Sequence, residues 1–283
     1  MSPRHTYLVA SAFLAPAFLA VVLLRLWPAA LSVERSLVAP NATSYSLENY
    51  TYIFSDPVFQ NSMLVTLKFL LIVNPLQVAV ALGLALLVNT KMPGIGVWRS
   101  LIFLPIAIPP SVSATIWGVA YRPDGPLNAM LTSIGLEPMR FLTSPDQALF
   151  AIIMIVSWVG VGYWMTFLLA GLQDIPKSLY EAVEIDGANA FQRFRYVTLP
   201  QLRRPLTFVL VANTVANFLV FAPVQILTKG GPQGSTDLIM FQIYDRAFTM
   251  GDTPSAYAAT VVLVSIVLVV VILQFRMMER SEP

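Results

Sequence analysis

The chain has 283 residues, of which 57% are hydrophobic and only 11% are charged, and its mean hydropathy is +0.71. Because a soluble domain carries roughly 25% charged residues, this composition excludes a soluble protein and indicates an integral membrane protein. The net charge of +2 gives no sign of nucleic-acid binding, and the absence of cysteine excludes disulfides, thiolate metal sites and a cysteine nucleophile.

Six apolar stretches are long enough to cross the hydrocarbon core as helices, which takes about 20 residues each. They are longer than the strands of a membrane barrel and do not alternate as such strands do. The sequence therefore predicts an all-α membrane protein with six transmembrane helices, at residues 7–30, 62–88, 100–120, 148–172, 205–228 and 256–275.

The first stretch has two interpretations, because a basic N-terminus before an apolar run is also typical of a cleavable signal peptide. Its apolar run from Tyr7 to Leu24 exceeds the usual length of about 7–15 residues for a signal core. This length favours an uncleaved first span, whose outer end Arg25 and Trp27 would anchor at the membrane surface.

The six stretches contain almost no charged residues, since only Arg25 and Lys68 fall inside them, and both lie near an end. Ion-driven carriers place ionisable groups at mid-membrane. The single histidine, His5, lies outside the stretches, and the chain has no G-x-x-x-x-G-K-[ST] phosphate loop. We therefore expect no catalytic residue, no metal and no cofactor, and an energy source that lies in another subunit.

Polar uncharged residues in the stretches are the remaining candidates for a solute path. Asn213 and Asn217 lie one helical turn apart and share one face, and Gln225 follows on the same stretch. They either line a polar cavity for a hydroxylated solute or form hydrogen bonds between helices, and both interpretations stay open here. For Asn74 and Gln77, interhelical hydrogen bonding is the favoured interpretation.

A polar segment of about thirty residues separates the fourth and fifth stretches and predicts a docking hairpin. Ser178 and Glu181 have the spacing of a capping box, so a short helix is expected to begin just after Ser178. Gly187 can end this helix with a positive φ. Asn189 can cap a second short helix, which Pro200 is expected to end.

The distribution of Lys and Arg predicts the orientation in the membrane. The N-terminus, the 89–99 and 173–204 connections and the C-terminal tail hold ten of them, and the other three connections hold five. By the positive-inside rule, both termini and the polar segment should lie in the cytoplasm.

The polar segment contains Glu181-Ala182-Val183-Glu184-Ile185-Asp186-Gly187-Ala188 and continues to Leu199-Pro200. It resembles the EAA motif of permease subunits in binding-protein-dependent ABC importers, with Val183 in place of the second Ala and Val197 in place of the usual Ile. The resemblance implies that the segment docks an ATPase subunit through the residues of the motif, Glu181, Ala182, Asp186, Gly187, Ala188, Phe194, Leu199 and Pro200.

Other segments, among them Leu47–Tyr50, Asp124–Asn128 and Leu227–Pro232, are similar to the carbohydrate-uptake branch of this family, over about residues 8–275. The resemblance implies a type I ABC importer permease fold with a cytoplasmic helix-turn-helix coupling loop. It divides the chain into a first helix with an outer loop (1–61), a permease core (62–275) and a cytoplasmic tail (276–283). Trp117 belongs to the same similarity and joins the polar residues as a candidate for the substrate path.

The resemblance implies a permease subunit in the inner or plasma membrane of a prokaryote. Its expected partners are a second permease subunit, two ATPase subunits that use Mg-ATP, and a solute-binding protein outside the membrane that delivers a sugar or a related polyol or phosphate-bearing solute. Since Arg25 and Lys68 lie at span ends, a neutral sugar is favoured. The alternative function is a structural or regulatory membrane subunit that docks an ATPase without lining a substrate path.

Overall fold

The computed structural model describes residues 3–38 and 44–279, and in these ranges the chain is helical and has no β-strand. The all-α fold class is thereby confirmed. In chain order the α-helices are α1 Pro3–Val21, α2 Trp27–Ser36, α3 Glu48–Ser55, α4 Pro57–Val88, α5 Ile95–Phe103, α6 Pro110–Ala120, α7 Pro126–Ser133, α8 Pro145–Gln173, α9 Lys177–Ile185, α10 Ala190–Arg193, α11 Leu199–Gln201, α12 Arg203–Phe218, α13 Ile239–Tyr244 and α14 Thr253–Glu279. Short π-helical segments occupy Val22–Leu26, Phe194–Thr198, Val224–Thr228 and Asp245–Thr249, and Leu104–Ala107 is a 3₁₀-helix.

Four helices within the described residues are long and apolar enough to cross a membrane. A fifth span is formed if the pair Ile95–Ala107 and Pro110–Ala120, which is bent by 99°, counts as one. The six-span count of the sequence prediction is therefore not reproduced in full. The four continuous candidates are Ala12–Ser36, Pro57–Val88, Pro145–Gln173 and Thr253–Met278.

The predicted span at 205–228 is broken, and Pro223 accounts for the position of the break. Helix α12 ends at Phe218, and Leu219 is its C-terminal cap. Proline has no backbone N–H and its ring clashes with the carbonyl four residues earlier, which here belongs to Leu219. The chain therefore leaves the helix at Leu219 and becomes helical again at Ala222, just before the π-helical segment Val224–Thr228.

The bend in the third predicted span lies at its prolines, and a close approach of two backbones holds it in place. Pro109 has an extended backbone (φ −55°, ψ 141°) and caps α6. A Cβ added to Gly162 of α8 would lie 2.0 Å from the carbonyl oxygen of Ile102 in α5. Only glycine allows α8 to pass this close to the bent segment.

The chain forms two compact units, and the first comprises Met1–Gln60 together with Gln242–Ser265. A buried ion pair organises this unit, because Arg246, 2% exposed, donates to the Asp56 carboxylate. The Arg246 guanidinium also lies 5.9 Å from the ring centre of Tyr52 and 5.8 Å from that of Phe59. Asp56 accepts from the amide of Val58 at 2.9 Å, so it also caps the start of α4.

The second unit comprises Asn61–Phe241 together with Ile266–Pro283 and contains both candidate sites. Its apolar core is shared by α4, α8, α12 and the polar segment before α12. The fully buried side chains include Ala81 and Ala85 of α4, Met165 and Leu168 of α8, and Leu202 just before α12. The three-part division of the chain predicted from the resemblance stays a prediction, and residues 280–283 of the predicted tail lie outside the described ranges.

Candidate functional site

The polar segment folds into a hairpin of short helices, and we call residues 177–202 the docking hairpin. Its first helix, α9, begins at Lys177, and Pro176 is the N-cap residue (φ −58°, ψ 131°). The predicted capping box of Ser178 and Glu181 is wrong, since no side chain caps this helix. A capping residue needs a non-helical backbone, and Pro176 occupies that place while Ser178 lies inside the first turn.

The turn between the two helices depends on Gly187, which has the predicted positive φ of 78°. The Gly187 amide donates to the carbonyl of Glu184, and the Ala188 amide donates to that of Val183, both at 3.0 Å. This is the Schellman arrangement, which satisfies the last carbonyls of a helix. A Cβ at position 187 would meet no atom within 4 Å, so the requirement for glycine comes from the backbone conformation alone.

The second part of the hairpin begins as predicted but does not end as predicted. Asn189 accepts from the Gln192 amide at 2.9 Å, and the Gln192 side chain accepts from the Asn189 amide at 2.8 Å. Pro200 does not end the helical path, which continues through α11 into α12. Because the π-helical turn ends at Thr198, Pro200 lies in the first turn of a new helix, where its missing N–H costs nothing.

The docking hairpin has an exposed front and an anchored back. On the front, Ile185, Phe191 and Tyr196 are 87%, 73% and 72% exposed. On the back, Val197 and Leu202 belong to the apolar core of the second unit. A hairpin of this kind presents an apolar and charged surface while its position is fixed by the helices behind it.

Two polar contacts close the hairpin on itself. The Tyr180 hydroxyl lies 3.0 Å from the Thr198 hydroxyl, and the Arg193 guanidinium lies 3.1 Å from the Glu184 carboxylate. The first contact joins α9 to the buried back, and the second joins the two arms on the exposed side. These two contacts hold the parts of the hairpin together.

The structure brings the predicted docking residues to different faces of the hairpin. Most are exposed, namely Glu181, Ala182, Asp186, Gly187 and Pro200. Ala188, Phe194 and Leu199 are half-buried, and Phe194 faces a recess bordered by Leu86 and Leu172. Ile185, Phe191 and Tyr196 were not among the predicted docking residues. Their apolar character inside a polar segment is the signal that was available in the sequence.

A cavity of about 630 Å³ lies among α4, α6, α8, α12 and the broken segment after α12. We call it the transmembrane cavity. Among the described residues no charged side chain lines it, and its walls are mainly apolar. The polar and aromatic side chains that line it are Gln77, Ser113, Tyr163, Trp164, Asn213, Asn217 and Phe221.

Four amide side chains join α4 and α12 beside this cavity, and we call them the amide network. The Asn217 amide nitrogen lies 2.7 Å from Asn74 Oδ1, 3.0 Å from Gln77 Oε1 and 3.1 Å from Asn213 Oδ1. A longer contact of 3.4 Å runs from the Asn213 amide nitrogen to Asn74. All four residues are at most 8% exposed. The two N–H groups of Asn217 serve two of these acceptors at a time, and Asn213 is a second donor for Asn74, in an apolar setting where an unpaired polar group would be costly.

The predicted path residues do not all reach the cavity. Asn213 and Asn217 line it, as does Gln77, for which interhelical bonding was favoured. Trp117 is half-buried and packs on Tyr121 and Trp158 instead. Gln225 lies half-buried in the π-helical segment after the break and is not part of the lining. The assignment of these two to a substrate path stays a prediction.

Ser113 is a cavity residue that the sequence analysis missed. It is 1% exposed, it lines the cavity, and its hydroxyl has no hydrogen-bond partner among the residues that the structure describes. A buried polar atom without a protein partner is uncommon, so this hydroxyl is suited to hydrogen-bond a molecule in the cavity. The only sequence signal was a serine shortly after Pro109-Pro110 in an apolar stretch.

Residues 61–282 match the family model described as the binding-protein-dependent transport system inner membrane component. The trehalose/maltose transport system permease protein MalF of Thermococcus litoralis is 36% identical over 75% of this chain and 72% of its own length. The sn-glycerol-3-phosphate transport system permease protein UgpA of Brucella abortus biovar 1 is 33% identical over 94% of this chain and 93% of its own.

Among solved structures, the chain is similar to one from a bacterial ABC transporter involved in the import of the acidic polysaccharide alginate. The TM-score is 0.88 at 22% identity, and the match covers 99% of this chain and 98% of that one. This similarity shows that the fold is that of a type I ABC importer permease. The match to the family model covers well over half of the residues. The chain therefore belongs to the family of inner-membrane components of binding-protein-dependent transport systems, the permease subunits of ABC importers.

Proposed function

We propose that the chain is the membrane-spanning subunit of an ATP-driven importer that moves a neutral sugar or a similar polyol, delivered by a solute-binding protein, through the transmembrane cavity. In this proposal a second permease subunit completes the solute path. Two ATPase subunits dock on the front of the hairpin and supply the energy. The names of the relatives support this class of function, since they include permeases for trehalose and maltose and for glycerol 3-phosphate.

The observation that carries the proposal is the continuity between the hairpin and the cavity. Leu202 at the back of the hairpin and Trp164 on the cavity wall belong to one buried apolar cluster, together with Leu168 of α8. Because a packed core resists continuous deformation, a movement of the hairpin is transmitted as a shift between discrete arrangements. Nucleotide-driven closure of docked ATPase subunits then changes access to the cavity.

The lining of the cavity favours a neutral solute over a phosphate-bearing one. Burying a charge is expensive unless an opposite charge pairs with it. Among the described lining residues there is no cation, whereas Ser113 offers an unpartnered hydroxyl, the amides of Gln77 and Asn217 border the cavity, and Trp164 offers an aromatic ring. This is the chemistry that a sugar requires, since its hydroxyl groups need hydrogen bonds and its ring needs an apolar face.

Uptake into proteoliposomes that hold the complete transporter tests the proposal. Wild type should take up a labelled neutral sugar such as maltose when the solute-binding protein and ATP are present, and should not take up glycerol 3-phosphate. In Ser113→Ala, maltose uptake should fall, while thermal stability stays level or rises because an unpartnered buried hydroxyl has been removed. The nearby exposed residue Thr115 provides a control variant, Thr115→Ala, which should leave uptake unchanged.

Preference for glycerol 3-phosphate would contradict the proposal that the cavity binds a neutral solute, and uptake without ATPase subunits would contradict the proposed energy source. If the chain only docks an ATPase and lines no path, Ser113→Ala will leave uptake unchanged.

The proposed orientation places both termini and the docking hairpin in the cytoplasm, on the basis of ten Lys and Arg against five. Reporter fusions near Arg99 and Arg193 should report the inside, and fusions near Asp124 and Gly234 the outside. An outside report at Arg193 would contradict the docking of an ATPase on the hairpin.

A further inference from the structure

A second recess, of about 1140 Å³, opens where the docking hairpin meets the ends of the membrane helices. It is bordered by the end of α8, by α11, by the start of α12 and by Met278 near the end of α14. We call it the basic recess. Since α8 and α14 are among the helices long and apolar enough to span a membrane, the recess lies at the level where a span ends.

The charge of the basic recess is predominantly positive. Arg195, Arg203 and Arg204 line it, against a single acid, Asp174. Arg195 and Arg204 are exposed, and in the part of the chain that the structure describes neither forms an ion pair. Arg203 is fixed in place, since its Nη2 donates to the carbonyl of Met278. Two arginines thus remain available to an anion beside a third that is already positioned.

The rest of the recess is apolar and runs along the membrane helices. Phe167 of α8 and Phe208 of α12 lie on its wall with their ring centres 5.2 Å apart, and Phe208 is 52% exposed. Leu206 and Pro205 continue the same surface. A recess that combines positive charge with an apolar wall is complementary to a molecule with an anionic headgroup and a hydrocarbon tail.

We propose that the basic recess binds an acidic phospholipid, with the phosphate between Arg195 and Arg204 and an acyl chain against Phe167 and Phe208. Basic pockets between membrane helices are suited to lipid phosphates, and arginine presents a fork of donors to them. A free phosphate would leave the apolar wall uncovered. The front of the hairpin, which presents Ile185 and Phe191, is outside the recess, whereas the predicted docking residues Leu199 and Pro200 line its edge, so a docked ATPase would border a bound lipid there.

Such a lipid would join two parts of the coupling machinery. Arg195 lies on the docking hairpin, and Arg204 lies in the first turn of α12, whose later residues line the transmembrane cavity. The phosphate would therefore tie the hairpin to the membrane helix through charge. This goes beyond the proposed function and does not depend on the identity of the solute.

Native mass spectrometry of the detergent-purified transporter containing this chain tests the proposal. The sample is incubated with mixed micelles of phosphatidylglycerol and phosphatidylcholine, and the retained lipids are counted. The double variant Arg195→Gln/Arg204→Gln should retain about 25-fold less phosphatidylglycerol, since each basic residue near a lipid phosphate contributes about fivefold. The control Lys177→Gln/Lys91→Gln removes the same charge from exposed positions outside the recess and should retain wild-type amounts.

Three results would overturn the proposal. Equal loss in the control would show attraction to net charge rather than a site. Protection from thermal unfolding by inorganic phosphate as strong as that by phosphatidylglycerol would identify a free anion as the ligand. Unchanged lipid retention together with loss of a copurifying subunit in the double variant would identify a protein as the occupant. A melting curve for each variant separates loss of lipid from loss of fold.

Discussion

The docking hairpin and the transmembrane cavity belong to the same compact unit, yet they are built from opposite chemistry. The front of the hairpin exposes charged residues such as Glu181 and Asp186 beside large apolar ones such as Ile185. The cavity buries Gln77, Asn217 and the other polar residues that border it, and among the described residues none of its lining is charged. The comparison teaches that this chain carries charge where it is proposed to meet another protein, and neutral hydrogen-bonding groups where a solute is proposed to pass.

On the cavity side, the largest effect is expected when the central residue of the amide network is replaced. Asn217→Leu removes the donor that Asn74, Gln77 and Asn213 share, and each acceptor left unpaired costs about 1–3 kcal/mol. We expect a melting temperature several degrees lower and a loss of uptake, measured by thermal unfolding in detergent and by transport.

Asn213→Leu is the matched variant, because among the described residues the amide nitrogen of Asn213 makes only the long contact of 3.4 Å. It should destabilise the protein less than Asn217→Leu. An equal melting temperature for wild type and Asn217→Leu would show that the amides do not hold α4 and α12 together.

On the hairpin side, Gly187→Val should have the next largest effect. A branched residue at a φ of 78° costs about 1–2 kcal/mol and re-aims the second arm. We expect weaker copurification of the ATPase subunits or ATP hydrolysis that no longer drives uptake, with normal insertion in the membrane.

The matched substitution at the same position is Gly187→Asn, because asparagine tolerates the left-handed conformation best after glycine. It should keep most of the coupling. If Val and Asn at this position behave alike, the backbone conformation of the turn is not what matters.

Glu181→Lys should have the smallest effect on folding and a selective effect on docking. Glu181 is exposed and caps no helix, so reversing its charge leaves the hairpin contacts in place. We expect an unchanged melting temperature together with reduced copurification of the ATPase. Lys177→Glu, on the same helix but outside the motif, is the control. Reduced stability without any loss of the ATPase would contradict a docking role for Glu181.

The sequence was sufficient for features that depend on local backbone chemistry. The positive φ at Gly187 and the N-cap at Asn189 both follow from residue type and position, whereas the reciprocal bond from Gln192 was seen only in the structure. It failed where two local signals compete, as at Pro176 and Ser178, since both can precede a helix and only one can be its cap. Proline chemistry indicates an interruption at Pro223, but periodicity could not show that the helix would end as early as Leu219.

The cavity was predicted only in part, because it is made by residues far apart in the chain. Asn213 and Asn217 share a helical face, which is readable from their spacing, but Asn74 lies 139 residues before Asn213. No local pattern in the sequence predicts that Ser113 lines the same cavity, or that Trp117 packs on Tyr121 and Trp158 instead. Such placements are decided by packing between helices, which a single sequence does not display.

The central claim is that the hairpin couples an ATPase to the movement of a neutral solute through the cavity. The most direct measurement is uptake of labelled maltose into proteoliposomes, scored against ATP hydrolysis in the same vesicles, for wild type and for Gly187→Val. The account predicts that wild-type uptake requires ATP and the ATPase subunits, and that Gly187→Val lowers the number of sugar molecules moved per ATP hydrolysed. The same ratio in both proteins, or wild-type uptake without the ATPase subunits, would contradict it.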